Sequence, residues 1–250
     1  MILEEAHELI ADEENYFVSM TDLMVGLVFV FIILLMYFAI QFQDVTEELT
    51  GAGKERTKIL EKLQQTLKER GVEVVIDRQD GVLRLPDSIL FDSGEAVLKP
   101  DGRAAVAHLA DALNEVLPCY TEGVPKNRSC PASKHRVESV YIEGHTDSDH
   151  YAGAGGLRDN WDLSVVRATN TYRALIDLKP PLSILCSSKG KRCDPVLSVS
   201  GYGPQRPVPE GAGSEEDQKS RNRRIDLRLI MATPDAGETR QVISDRLSKK

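Results

Sequence analysis

Positive charge is in deficit along this chain: 31 Lys and Arg stand against 39 Asp and Glu, a net charge of −8 with a pI near 5.3. A nucleic-acid surface needs the opposite balance to neutralise phosphates, so nucleic acid is not an expected partner. Lys and Arg are missing altogether between Met1 and Thr21. That removes the n-region of a cleavable leader and leaves the positive-inside rule silent on orientation. No Gly-rich phosphate loop, Gly-x-Ser-x-Gly elbow or sustained repeat occurs, so the chain is not expected to be an enzyme, and no catalytic residue or cofactor is assigned. Cysteine is scarce too: Cys119, Cys130, Cys186 and Cys193 form two close pairs, each flanking a polar loop. Neither pair has the two-residue spacing of a zinc finger or ribbon, and His135 is the one histidine near them. Two local disulfides are therefore expected, with a zinc site as the rival.

What is present is unevenly distributed. From Phe17 to Phe42 the only ionisable acid or base is Asp22. At about 1.5 Å per residue this stretch is roughly 39 Å long, enough to span about 30 Å of hydrocarbon with some tilt. A retained transmembrane helix is expected over 17–42, behind a cytoplasmic tail over 1–16. If the cysteines report an oxidising compartment, the chain after Gln43 is periplasmic and the protein is single-pass in the bacterial inner membrane.

Asp22 lies about 9 Å into the membrane's thickness if Tyr16 marks the interface. An ionised Asp there costs about 2.5–3.5 kcal/mol on insertion scales. Two readings stand. Ser19-Met20-Thr21-Asp22 could be a capping box at a helix start. Alternatively Asp22 is a proton-carrying carboxylate facing a partner helix, with Gly26 one turn on allowing close approach.

Residues 43–70 read as a linker with a short charged helix, interrupted first by Gly51-Ala52-Gly53. Ile59, Leu60, Leu63 and Leu67 make a narrow apolar stripe, which fits either a coiled-coil contact with a second copy or packing on the chain's own domain. Beyond Gly71, strands are expected at Val72 to Ile76, Val82 to Leu85, Val137 to Ile142, Leu197 to Ser200 and Ile225 to Met231. Helices are expected at Asp101 to Leu117 and Asp159 to Leu178. The fold class is thus a single transmembrane helix followed by an α/β sandwich over 71–232, a mixed sheet with helices on one face, and a polar tail over 233–250.

Four segments carry chemistry: Ile89-Leu90-Phe91-Asp92-Ser93-Gly94 with Leu98-Lys99-Pro100, Gly144-His145-Thr146-Asp147 after a strand, Asn160-Trp161-Asp162-Leu163-Ser164-Val165-Val166-Arg167-Ala168 opening a helix, and Asn222-Arg223-Arg224 entering the last strand. In this order they resemble the OmpA-like peptidoglycan-binding domain. The resemblance implies Asp147 and Arg167 as ligand contacts, Asn160 as a supporting hydrogen-bonder and Arg223 as a further contact. The chemistry agrees, because a diaminopimelate stem residue offers an ammonium and a carboxylate that need opposite charges at fixed separation. One departure is the loop from Asp147 to Asn160, longer than usual, which could shield the pocket. The cluster His145, Asp147, Asp149 and His150 also raises a metal-hydrolase alternative. His145 is expected instead to be a structural hydrogen-bonder, leaving no metal site assigned.

Phe17-Val18-Ser19-Met20-Thr21-Asp22-Leu23-Met24 resembles the stretch around the ion-carrying Asp of flagellar stator B subunits. The acidic N-terminus and the Asp-Leu-Met-x-Gly-Leu run most resemble the B subunit of the Zorya anti-phage defence system. That resemblance implies a B homodimer inside a ring of polytopic A subunits, driven by protons and anchored to peptidoglycan. A flagellar-type stator subunit and a passive peptidoglycan tether remain the alternatives.

Overall fold

The computed structural model of the protein describes residues 2–126, 130–151, 153, 156–187, 192–209 and 213–233, with side chains described at Met20–Gln43 and from Gly51 onward. Two compact units divide between Thr50 and Gly51, and helix α1 (Ile2–Glu69) contributes to both. In the first unit, Met20–Gln43 form a 24-residue stretch long and apolar enough to cross a membrane. Its large apolar side chains, such as Leu23, Leu27 and Phe42, are exposed rather than packed on protein.

Gly51-Ala52-Gly53 does not interrupt the helix, contrary to expectation. Two glycines cost only about 1 kcal/mol each relative to alanine, and the stripe beyond them offsets this. Ile59, Leu60, Leu63 and Leu67 are all fully buried in the core of the second unit. Burial at about 1.5–3 kcal/mol per side chain makes this segment part of the domain. Of the two readings of the stripe, the structure takes packing on the chain's own domain.

The helix ends in a Schellman motif. Gly71 adopts φ +79, its amide bonds to the Lys68 carbonyl at 3.0 Å, and the Val72 amide reaches back to Leu67 at 2.9 Å. This explains a second difference. The first strand, β1 (Val75–Asp77), starts later than expected because the Val72 amide is committed to closing α1.

β1 and β2 (Val82–Pro86) form a hairpin. Asp77 Oδ1 accepts the amides of Gln79 and Asp80, both at 3.1 Å, and Gly81 turns the chain at φ +71. After β2 come α2 (Asp87–Leu90), α3 (Pro100–Val116), β3 (Val137–His145) and α4 (Asn160–Leu178). The short strands β4 (Cys186–Ser187) and β5 (Asp194–Pro195) pair separately, followed by β6 (Leu197–Gly201), α5 (Glu215–Asn222) and β7 (Arg224–Met231).

The main sheet has the order β1-β2-β7-β3-β6, with only β3 and β6 parallel, so it is mixed as expected. Alternation along the strands sorts its two faces. Leu83, Leu85, Val140, Ile142, Ile225, Leu227 and Leu229 join one apolar cluster with α3, α4 and the end of α1. Arg84, Glu143, Asp226 and Arg228 take the alternate positions and form ion pairs. The polar tail expected over 233–250 lies, beyond Thr233, outside the described residues.

Candidate ligand-binding site at the carboxyl end of β3

A close approach of backbone to backbone builds the platform. A Cβ on Gly144 would sit 2.0 Å from the Ser164 carbonyl oxygen, so only glycine lets β3 touch α4 there. Ser164 then locks the next loop: its hydroxyl accepts the Gly203 amide at 3.0 Å and donates to the Trp161 carbonyl at 2.9 Å. Thr146 is pinned by its backbone N–H, which donates a hydrogen bond to the Gly203 carbonyl at 3.1 Å. The Asp159 side chain caps α4 by accepting the amides of Trp161 and Asp162. Asp147 and Asn160 thus emerge from two rigid element ends, and Asn160 Nδ2 donates to the Asp149 carbonyl at 2.7 Å.

The charged residues expected to contact a ligand are each held by a neighbouring side chain. Asp147 and Arg167 do not form an open couple. Asp147 Oδ2 is held by Arg223 Nη1 at 2.6 Å, and Arg223 also reaches Glu216 at 3.1 Å. Arg167 is buried, 1% exposed, and pairs with Asp87 at 2.9 Å. Its remaining contacts are the carbonyls of Glu95 at 2.7 Å and Asp92 at 3.2 Å, with the Phe91 ring 5.2 Å from its guanidinium carbon. Burial pushes Asp87 up to about 6 against the pull of Arg167 and Arg223. Burial likewise lowers the Arg167 guanidinium, while Asp87 and Asp147 act to hold its proton. At neutral pH the pair stays ionic.

Asp87 is absent from the residues expected at the site, because the motif reading begins at Ile89. The available signal is an acid directly after a strand in an apolar run, Leu85-Pro86-Asp87-Ser88-Ile89-Leu90.

The metal alternative meets a different arrangement. Asp147 turns to Arg223, Asp149 to Lys219 at 2.9 Å, and His145 lies elsewhere. Among the described residues, Glu143, His145 and Asp226 have potential ligand atoms within 4.8 Å of one another. Their carboxylates are already engaged: Arg228 grips both Glu143 oxygens at 2.8 and 2.9 Å, and Arg224 holds Asp226 at 2.9 Å. His145 is not the hydrogen-bonder expected. Its ring nitrogens make no hydrogen bond to the protein, and it stacks on Tyr202 at 5.4 Å. Burial and the surrounding arginines push it down to about 3, while burial lifts Asp226 to about 6.

The cysteines pair as expected, Cys119 with Cys130 and Cys186 with Cys193, at Cα separations of 5.2 and 5.1 Å. Backbone bonds between Glu122 and Cys186, at 2.9 and 3.0 Å, draw the two bridged segments together. Asp22 lies inside α1, with helical backbone on both sides. No helix begins at Ser19, so there is no helix start at that point for a capping box to close. Ala152, Ala154 and Gly155 of the long loop lie outside the described residues, and with them the question of shielding.

Comparisons with known proteins bear on both units. No family model matches the chain. It is 27% identical over 162 residues to motility protein B of Bacillus subtilis, an alignment that covers 65% of this chain and 49% of that protein. It is 21% identical over 224 residues to the Zorya protein ZorB of Escherichia coli O139:H28, covering 87% of this chain and 80% of that one. The chain is similar in sequence to both. Its fold matches a MotB-like protein from Desulfovibrio vulgaris with a TM-score of 0.50 and 22% identity, over 72% of this chain and 96% of the other. The chain spans about half the length of motility protein B, whereas the match to ZorB includes most of both proteins.

Proposed function

We propose that this chain is the peptidoglycan-anchored B subunit of a proton-driven rotary motor of the Zorya anti-phage defence type. The observation that carries the reading is one acid, Asp22, alone in the apolar span Met20–Gln43 of a chain whose second unit has a MotB-like fold. An acid in that position has a high cost when ionised and a low one when protonated, so proton loading changes how the helix packs against a partner. Asp147, Asn160, Arg167 and Arg223 serve as the grip on diaminopimelate-containing stems. The grip fixes the subunit to the wall while a polytopic A-subunit ring turns around a pair of B chains.

The two disulfides support an oxidising compartment for the second unit, hence a cytoplasmic N-terminus, a single inner-membrane span and a periplasmic domain. The subunit acts by anchoring and ion coupling, not as an enzyme. A flagellar-type stator subunit is the second reading, favoured by the higher identity to motility protein B, 27% against 21%. The defence reading takes precedence because its alignment extends over 87% of the chain rather than 65%.

Deleting the gene in its host separates the two. A defence subunit gives increased phage plating with unchanged swimming. Lost swimming with unchanged plating moves the chain to the flagellar class.

A further inference from the structure

Asp87 opens α2 directly after β2, and it touches both arginines of the candidate site. Its Oδ2 lies 2.9 Å from Arg167 Nη1. Its amide donates to the Arg223 carbonyl at 3.1 Å, and its own carbonyl accepts the amide of Phe91 at 2.9 Å. Phe91 is in turn the ring beside the Arg167 guanidinium. Three short bonds from one residue therefore set the place of one cation, the backbone of the other and the aromatic face against the first.

The guanidinium of Arg167 has five N–H donors, and Asp87, Glu95 and Asp92 hold it on three of its nitrogens. That clamp fixes the plane of the group without consuming all its donors. Resting on the peptidoglycan reading above, we infer that Asp87 is the positioning residue of the site: its carboxylate orients Arg167 and its backbone anchors Arg223, presenting both cations at a fixed separation to the carboxylate of a stem peptide.

Energetics favour geometry over stability as the reason for this contact. Desolvating a buried ion pair costs about as much as its attraction returns. The folded carboxyl of Asp87, lifted to about 6, lies above its usual value, so ionisation at neutral pH works against folding rather than for it. Charged groups facing it are Arg167 on α4 and Arg223 ahead of β7, which favour the carboxylate, and Asp147 after β3, which opposes it.

The test is co-sedimentation of the full chain, in detergent micelles, with purified sacculi at about pH 7.5 and about pH 5. Asp87→Asn is expected to bind at least about tenfold more weakly at the higher pH, and Asp87→Glu, which keeps the charge, to recover most of that loss. Wild type should weaken by about tenfold on acidification, since protonating Asp87 releases the clamp, while Asp87→Asn changes by less than about twofold. Wild-type binding by Asp87→Asn, with Asp147→Ala still unable to bind, overturns the positioning role and leaves the site in place. Binding retained by Asp147→Ala as well overturns the site and this inference together. Circular dichroism checks folding. If Asp87→Asn does not fold, the wild-type profile decides: a tenfold acid loss supports the role, and a flat profile overturns it.

Discussion

Asp147 is joined to Arg223 at 2.6 Å, and this pair is far more open to solvent than the pair between Arg167 and Asp87. Side-chain exposures are 12% for Asp147 and 28% for Arg223, against 2% for Arg167 and 4% for Asp87. Exposed pairs are worth about 0–1 kcal/mol, whereas breaking a buried pair from one side costs about 3–5 kcal/mol. In the proposed site, Asp147–Arg223 is then the contact for a ligand ammonium to displace, with Arg167–Asp87 as the fixed frame around it.

Those magnitudes give different outcomes for the two site residues. Asp147→Ala should abolish sacculus binding at a smaller loss of stability than Arg167→Ala, because Arg223 keeps the Glu216 carboxylate and access to solvent. Arg167→Ala should abolish binding and also lower stability by about 3–5 kcal/mol, so Arg167→Lys is the fairer binding test. Sedimentation with sacculi, alongside denaturant melts, reads both. Binding kept by Asp147→Ala and Arg167→Lys would remove the proposed site, and loss of wild-type binding on chelation would revive the metal alternative.

The two bridges carry the assignment of compartment. Non-reducing peptide mapping of protein from membranes should recover Cys119 linked to Cys130 and Cys186 linked to Cys193. Reduction should cost about 2–4 kcal/mol per bridge, at the lower end because the closed loops are short. Free thiols at all four positions would undo the topology as well as the pairing.

How far the sequence could be read depended on whether the signal was local. Ile225, Leu227 and Leu229 alternate on one strand, and the Gly144-His145-Thr146-Asp147 turn follows directly from another, so β7, β3 and the position of Asp147 are legible without a fold. The partner of Arg167 is not, because Asp87 is remote in sequence and approaches only when α2 packs on the domain. Helix α5 has no buried residue, hence no apolar period to detect; only its Ser214 and Asp217 capping box marks it. Strands β4 and β5, two residues each, are too short for any pattern and pair across a loop that a disulfide closes. The reach of α1 through Gly51 and Gly53 was hidden for the opposite reason, a strong local breaker overruled by a core stripe further along.

His145 gives the folded domain an acid sensitivity with a definite sign. Its ordinary value is 6.5 and the fold holds it near 3. Between those values the unfolded chain binds the extra proton, so stability from this residue is present above about 6.5 and is lost as pH falls toward 3. The slope is at most about 1.4 kcal/mol per pH unit. Asp226 acts oppositely: lifted to about 6, it contributes stability below 3.8 that is lost as pH rises through about 6. His145→Phe keeps the stacking on Tyr202 and isolates the first effect. Relative to wild type, that variant should gain melting temperature progressively from about pH 6.5 to pH 4; parallel curves would show that His145 is not buried as a neutral ring.

Asp22 decides between a motor and a tether. It is the one acid in Met20–Gln43, and the helix runs unbroken through it, so no helix end is available for it to cap. A carboxylate retained in an apolar span without a capping role must be compensated by a partner, by water or by a proton. If the proton is the answer, Asp22→Asn should insert and assemble at normal levels yet eliminate phage protection, because the amide has the shape of the neutral acid and cannot release a proton. Asp22→Glu should retain part of the activity. A packing or capping role gives the reverse result, since Asn and Asp are nearly equivalent as caps and as hydrogen-bonding side chains of similar size. The measurement is plaque formation in cells expressing matched amounts of each variant together with the polytopic partner, and swimming if the host readout is motility. Full protection by Asp22→Asn removes proton transfer from the mechanism and leaves a chain that holds the wall and nothing that turns.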